Sequence, residues 1–532
     1  MANRFDATAG TATAVVDQQR AGAEAAPRLA ADRRFFGHPR GLATLFFTEL
    51  WERFSYYGMR AILILFMTTS AAQGGLGFDV SRAGAIYGTY VSLVYLLSLP
   101  GGWLADRFLG QRRAVLYGGI IIMLGHVCLA LPSLTTFFLG LGLIVVGTGL
   151  LKPNVSAMVG QLYAPDDTRR DAAFSIFYMG INLGAFIAPL IVGWVAQSEA
   201  FRGTVAGLGL TPSSAWHFGF GLAALGMLVG IVQYLQGWKH LGDAGLHPNV
   251  PDDPARRAAD RRTLRLGAGA TIVVALLLGA LHSSGVMPLT PEGVANALGA
   301  VLLVTTVVVL AYLVGVAPAS GAERRGLLIV TLLVLASVVF WSVFEQAGST
   351  LNLFAERDTR TELLGFDFPA SWLQSVNAMF LILLAPVFAW IWIRLGRRDP
   401  SSPAKFSLGL VFVGLGFVLL VPPARDAMAG EKASPLWLVG TYLCHTIGEL
   451  LLSPVGLSAM TKLAPARLIG FVMGVWFLSI SVGNYVGGRV AGLYESFSLP
   501  TLFGVVGGVA VGAGLLMALM VKPAARIAGS TD

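Results

Sequence analysis

The chain has 532 residues, of which 55% are apolar and 12% are Asp, Glu, Lys or Arg, where a soluble domain carries roughly 25% charged residues. A water-soluble fold is excluded. The formal net charge of +8 would suit nucleic acid, but the basic residues sit in short loops between apolar runs, so they report membrane topology and no nucleic-acid partner is expected.

Residues 1–36 are rich in Ala, Arg and Asp without the apolar centre of a secretory signal, and a mobile cytoplasmic tail is expected there. About 14 apolar runs follow, each long enough to cross a hydrocarbon layer of roughly 30 Å as a helix. They cover 41–69, 80–105, 113–131, 137–161, 171–197, 215–237, 264–283, 293–316, 325–353, 371–394, 404–421, 435–461, 467–495 and 500–521. The pattern predicts an all-α polytopic membrane protein.

Alternate loops hold Arg107, Arg112 and Arg113; Arg169 and Arg170; Lys239, Arg256, Arg257, Arg261 and Arg262; Arg324 and Arg325; Arg394, Arg397, Arg398 and Lys405; and Lys462 and Arg467. The positive-inside rule puts these loops and both termini in the cytoplasm, as expected of a multi-pass protein of the bacterial inner membrane. A Pro- and Arg-rich stretch at 238–263 reads as a linker. The two helices after it lack charges within the membrane and read as an insertion.

The expected organisation is a tail at 1–36, a six-helix bundle at 37–237, a linker and two-helix insertion at 238–322, a second six-helix bundle at 323–521, and a tail at 522–532. Six plus six helices is the plan of transporters that rock two bundles about a central site. After the second helix, Gly101-Gly102-Trp103-Leu104-Ala105-Asp106-Arg107-Phe108-Leu109-Gly110-Gln111-Arg112-Arg113 resembles the cytoplasmic loop motif of the major facilitator superfamily. Asp106, Arg107 and Gly110 are then conformational parts, in a tight turn that locks two helix ends together.

An ionisable side chain at mid-bilayer costs about 2.5–3.5 kcal/mol on insertion scales, so each one suggests function. The first helix has Glu49, Glu52, Arg53 and Arg60, with Tyr56 and Tyr57 among them. At about 100° per residue, Glu49, Arg53, Tyr56 and Arg60 share one stripe, while Leu50, Trp51, Phe54 and Ile62 point away from it, toward lipid. The charged stripe must therefore line a cavity. Lys152 precedes Pro153 in the fourth helix, where the missing backbone donor frees a carbonyl one turn earlier. Glu345 and Glu449 each lie deep in an apolar run, as carboxylates that are candidates to take up a proton. Asn182 and Asn377 add amides able to bond a peptide backbone or to join helices.

Glu49-x-x-Glu52-Arg53 followed by Tyr56-Tyr57-Gly58-x-Arg60 resembles the first-helix motif of the proton-dependent oligopeptide transporters, a family within the major facilitator superfamily. Phe174-Ser175-Ile176-Phe177-Tyr178-Met179-Gly180-Ile181-Asn182-Leu183-Gly184 resembles their fifth-helix signature. Gly149-Leu150-Leu151-Lys152-Pro153-Asn154, Phe344-Glu345-Gln346, Gly448-Glu449-Leu450 with Ser453-Pro454, and Met473-Gly474-Val475-Trp476-Phe477 extend the likeness over about residues 40–520. The inserted helix pair is similar to that of bacterial members.

The resemblance implies proton-driven uptake of dipeptides and tripeptides by alternating access, with no metal or other cofactor and a functional monomer. It implies that Arg60 and Lys152 hold the peptide carboxylate, that Glu449 with Asn182 and Asn377 holds the ammonium end and backbone, and that Tyr56, Tyr57, Tyr95, Trp476 and Ser453 line side-chain pockets. Glu49, Glu52, Arg53, Lys152 and Glu345 are the implied proton-coupling set, Glu345 pairing with Lys152 or Arg53 in the outward state.

In one departure, Gly88 stands where animal members carry a second-helix histidine. His445, four residues before Glu449, reads as a packed ring. Cys128 and Cys444, far apart in apolar runs, read as core residues and not as a disulfide or metal pair. A drug/proton antiporter or a nitrate carrier is the alternative within this fold. An enzyme is not expected, since no His-Glu-x-x-His or Gly-x-Ser-x-Gly run appears. Without a phosphate-binding Gly-x-x-x-x-Gly-Lys-Ser/Thr loop, the energy must come from an ion gradient.

Overall fold

The computed structural model describes residues 32–529 except 165, 287 and 364, and leaves the side chains at 397 and 524–529 undescribed. The expected N-terminal tail therefore falls outside the described residues as far as residue 31. Thirteen described helices are long and apolar enough to cross a membrane, and the charge-bearing helix Arg40–Thr68, 29 residues long, has the same reach.

In chain order the first six are α1 (Arg40–Thr68), α2 (Val80–Leu109), α3 (Gln111–Leu129), α4 (Leu134–Gln161), α5 (Arg169–Gln197) and α6 (Ala215–Gly237). The inserted pair is α7 (Pro254–Ser283) and α8 (Pro291–Gly315). The rest are α9 (Gly321–Phe344), α10 (Ser375–Leu395), α11 (Ser402–Val418), α12 (Pro435–Leu463), α13 (Ile469–Ala491) and α14 (Leu499–Gly529).

Helix starts follow local chemistry. The Asp79 carboxylate accepts from the Arg82 amide at 2.8 Å to cap α2. Pro254, Pro291 and Pro435 sit at first positions, where a missing N–H costs no intrahelical bond. Within the bundles, helices approach through glycine. A methyl on Gly118 of α3 would meet the Gly147 carbonyl of α4 at 2.7 Å, and one on Gly414 of α11 would meet the Gly507 carbonyl of α14 at 2.7 Å.

Several boundaries differ from the sequence reading. Helix α7 begins at Pro254, inside the expected linker, because Asp253 caps it through the Ala255 amide. The expected run 325–353 is broken: α9 ends at Phe344, a tight turn covers Glu345–Gly348, and a short helix resumes over Thr350–Arg357. Helix α14 continues past 521 to Gly529.

The face of α1 opposite its charges does not meet lipid. Leu50, Phe54 and Ile62 are buried, and a methyl on Gly230 or Gly226 of α6 would run into Trp51 or Phe54. Periodicity separates the two faces of a helix but cannot say whether the apolar one meets lipid or another helix. Cys128 and Cys444 are free and only half-buried.

Candidate functional site

Helix α1 places its charges at the centre of the molecule. Glu49, Glu52, Arg53 and Arg60 are all at most 6% exposed. Arg53 Nε lies 3.0 Å from Glu49 and 2.5 Å from Glu52, so two buried carboxylates share one guanidinium. Lys152 of α4 stands beside this triad with its ammonium 3.9 Å from the centre of the Tyr95 ring, within electrostatic range of Arg53, Glu52, Glu49 and Glu345. Pro153, next to it, leaves the Gly149 carbonyl without its helical donor, and Gly101 of α2 packs so tightly there that a methyl would overlap that carbonyl.

About two turns beyond Arg53 along α1, Arg60 reaches into the other bundle. Its Nη2 lies 2.6 Å from Glu345 Oε2 and 3.3 Å from the Glu345 carbonyl, while its Nε donates to the Tyr87 hydroxyl at 2.7 Å. Glu345 thus pairs with Arg60 in this conformation, and not with Lys152 or Arg53. The helix break after Phe344 makes this possible. Gly348, in the turn, has no room for a side chain: a methyl would meet Arg60 Nε at 2.7 Å and overlap the Tyr87 hydroxyl.

Glu449 of α12 faces the same region and is half-buried. Asn377 of α10 donates to the Thr446 hydroxyl at 2.9 Å and to Glu449 Oε2 at 3.5 Å, so it orients the carboxylate. Glu449 is within electrostatic range of Glu345, and Tyr57 is within range of both carboxylates and of Arg53 and Arg60. The ionisable groups of α1, α4, the α9 break and α12 therefore converge on one space between the bundles.

The aromatic and amide residues divide. Tyr57, Tyr95, Lys152, Asn377, Glu449 and Ser453 are partly exposed, whereas Tyr56, Asn182 and Trp476 are buried. Asn182 donates to the Tyr178 carbonyl in its own helix at 2.9 Å. Trp476 packs on Phe406 and against Gly456, within the second bundle. His445 is enclosed by Phe344, Phe417 and Tyr442, away from the polar space.

Sequence reasoning missed Tyr87 and Tyr178. Tyr87 sits next to the informative Gly88, and Tyr178, exposed and in electrostatic range of Glu449, lies inside the fifth-helix signature. Neither interrupts an apolar pattern as a charge does.

The bundles touch toward the end of the molecule that carries Asp79. Ala61 O accepts from Asn352 at 2.8 Å and from Gln374 at 3.2 Å. Trp372 Nε1 donates to the Leu190 carbonyl at 2.8 Å, and Ser375 to that of Phe186 at 2.7 Å. Nearer mid-depth, Ser92 and Ser481 hydroxyls meet at 2.8 Å. A cavity of ≈ 970 Å³ lies apart from this chemistry, at the Asp79 end of the first bundle. Phe66, Leu129, Phe137, His217 and their neighbours line it without a single Asp, Glu, Lys or Arg.

At the opposite, basic end, the last turn of α2 and the Gly110 turn that follows it bind the linker. The Asp106 carbonyl accepts from the Asn249 amide at 2.6 Å, its carboxylate accepts from Gln111 at 3.1 Å, and Arg107 donates to the Asn249 carbonyl at 3.2 Å. Gly110 turns the chain with φ 78°, and a methyl there would meet the Leu246 carbonyl at 2.9 Å.

Known proteins share this architecture. The sequence profile of the POT family matches residues 112–506. The chain is 41% identical to the peptide transporter YePEPT of Yersinia enterocolitica over 94% of its length and 97% of that protein. It is 38% identical to a di-/tripeptide transporter of Lactococcus lactis subsp. cremoris over 94% and 98%. A crystal structure of a mutant peptide transporter POT in complex with alafosfalin matches with TM-score 0.83 at 41% identity, over 94% of this chain and 99% of that one. With a buried charge stripe, a cation–carboxylate bridge between bundles and likeness over nearly the whole chain, this multi-pass membrane transporter belongs to the POT family.

Proposed function

We propose that the protein takes up dipeptides and tripeptides together with protons across the bacterial inner membrane, acting as a monomer with both termini in the cytoplasm. The observation that carries this reading is the 2.6 Å Arg60–Glu345 pair, which ties the two bundles together beside the half-buried Lys152 and Glu449. A short peptide brings one carboxylate and one ammonium. Lys152 with Arg60 suits the first, and Glu449, held by Asn377, suits the second. Tyr57, Tyr95 and Ser453 border the space between and offer loose side-chain selectivity.

With the basic loops toward the cytoplasm, the Asp79 end is the outer face. Its inter-bundle contacts then close the outside, and the conformation faces inward. In this reading Glu345 has released its proton and grips Arg60. Once the outer end has reopened, a proton from outside neutralises Glu345, loosens that grip, and leaves Arg60 available to the peptide carboxylate. Glu49, Glu52 and Arg53 hold Lys152 in place and respond to the same change of charge. Each net charge carried inward gains about 2.3 kcal/mol per 100 mV of membrane potential, which is enough to concentrate substrate.

Proteoliposome uptake of labelled dialanine, with and without an imposed pH gradient, tests the function: uptake should depend on the gradient and be competed by other dipeptides. Glu345→Gln should abolish accumulation while sparing dialanine counterflow. Normal gradient-driven uptake by this variant would reject the role of Glu345, and failure of dipeptides to compete would reject the substrate.

A further inference from the structure

Helix α7 is unlike the other helices. No residue along its 30 positions is buried. From Leu266 onward it is apolar on every side, with Ile272, Val273, Val274, Leu276 and Leu277 each more than half exposed. Such a surface is stable only in hydrocarbon. Its first three turns are the reverse, with Arg256, Arg257, Arg261, Arg262 and Arg265 within ten residues.

Four of these arginines form a stripe. At about 100° per residue, Arg257, Arg261, Arg265 and Arg262 fall within an arc of about 140°, and Arg257 to Arg265 spans about 12 Å along the axis. They border a groove of ≈ 660 Å³ that ends on Leu266. The nearby carboxylates lie outside this stripe. Asp260 reaches back toward Arg107 in the last turn of α2 at 3.7 Å, and Asp253 pairs with Arg256 at 4.0 Å. Among the described residues, no carboxylate lies within ion-pair distance of the four. Neighbouring guanidiniums at this spacing repel one another unless an anion lies among them, and planar guanidiniums match phosphate oxygens well.

We propose that the start of α7 is a binding site for an anionic phospholipid, its phosphate on the stripe of Arg257, Arg261, Arg262 and Arg265 and its acyl chains along the unpacked helix from Leu266 onward. The basic groove continues directly into an exposed apolar surface, and only an amphiphile with a negative head satisfies both. A clustered set of basic residues at the end of a membrane helix attracts such lipids strongly. The lipid would supply the neighbours that the rest of the chain does not give α7, and through Asp260 and Arg107 it would steady the end of α2.

The full chain, reconstituted in phosphatidylcholine vesicles containing a little diazirine-bearing phosphatidylglycerol, tests this by illumination and peptide mapping. Labelling should concentrate in the segment 254–270, fall at least about tenfold in R257Q/R261Q/R262Q/R265Q, and stay unchanged in R324Q/R325Q, which removes two exposed arginines elsewhere at the basic end. Undiminished labelling of Pro291–Gly315 by a diazirine phosphatidylcholine reports that the fourfold variant is inserted. Equal labelling of 254–270 by the neutral lipid, or unchanged labelling in the fourfold variant, would overturn the proposal. Displacement by millimolar inorganic phosphate at constant ionic strength would assign the stripe to a free anion, and crosslinks between two copies through α7 would assign it to self-association.

Discussion

Arg53 is the single guanidinium between Glu49 and Glu52, all three nearly inaccessible to solvent. Removing one member of a buried ion cluster leaves charge without compensation, at a cost of about 3–5 kcal/mol. Arg53→Gln should therefore lower the melting temperature in detergent as well as stop uptake. The triple variant E49Q/E52Q/R53Q should recover most of the stability while remaining inactive; a stable, active R53Q protein would show that the cluster carries neither load. Asn377 offers a milder case. Losing its bonds to Thr446 and Glu449 removes about 0.5–1.5 kcal/mol of orientation, so Asn377→Ala should raise the KM for dialanine by up to about tenfold with little change in stability. The charges on α1 were legible in the sequence because a period near 3.6 exposes a stripe. Their partners were not, because the Arg60–Glu345 pair joins positions 285 residues apart.

Helix α2 meets α13 through a seam of glycines that also explains the departure at position 88. A methyl on Gly88 would meet the Gly488 Cα at 2.9 Å and the Tyr485 carbonyl at 3.1 Å, and one on Gly84 would meet the Gly488 carbonyl at 2.7 Å. No imidazole fits there while the seam is closed. Gly88→His should part α2 from α13 and uncover Ser92, which is buried against Ser481. With Ser92→Cys in a C128S/C444S background, a membrane-impermeant maleimide should label G88H faster than the glycine parent, and equal rates would show that the seam does not seal. The break in α9 was invisible in the sequence because Phe344-Glu345-Gln346-Ala347-Gly348 contains no proline, and its turn is favoured by the contacts Arg60 and Tyr87 make with it. The early start of α7 was hidden by its three prolines and many arginines. Only Pro254 lies in the helix, at the one place where proline favours a start.

The two bundles lean together at the Asp79 end, and transport requires them to part. A Cβ on Gly193 of α5 would stand 3.2 Å from the Ser371 Cβ, ahead of α10, close to the roughly 3.5–4.5 Å Cβ spacing of a disulfide. In the same cysteine-free background, G193C/S371C should cross-link under mild oxidation, stop dialanine uptake, and regain it on reduction. Uptake that survives complete cross-linking would mean that this end never opens.

What the amino-acid order determined alone was whatever depends on near neighbours: membrane residence, the number and approximate extent of the helices, the loops rich in arginine, and which face of α1 bears charge. Hydrophobic length and helical period are local quantities, so they survive in a linear string. Tertiary structure alone decided that the apolar face of α1 meets α6 and not lipid, that Glu345 holds Arg60, and that Trp476 is enclosed while Tyr57 and Lys152 stay open. Those outcomes depend on how separate helices dock, and the energy of a buried charge is set by the neighbours that docking brings to it.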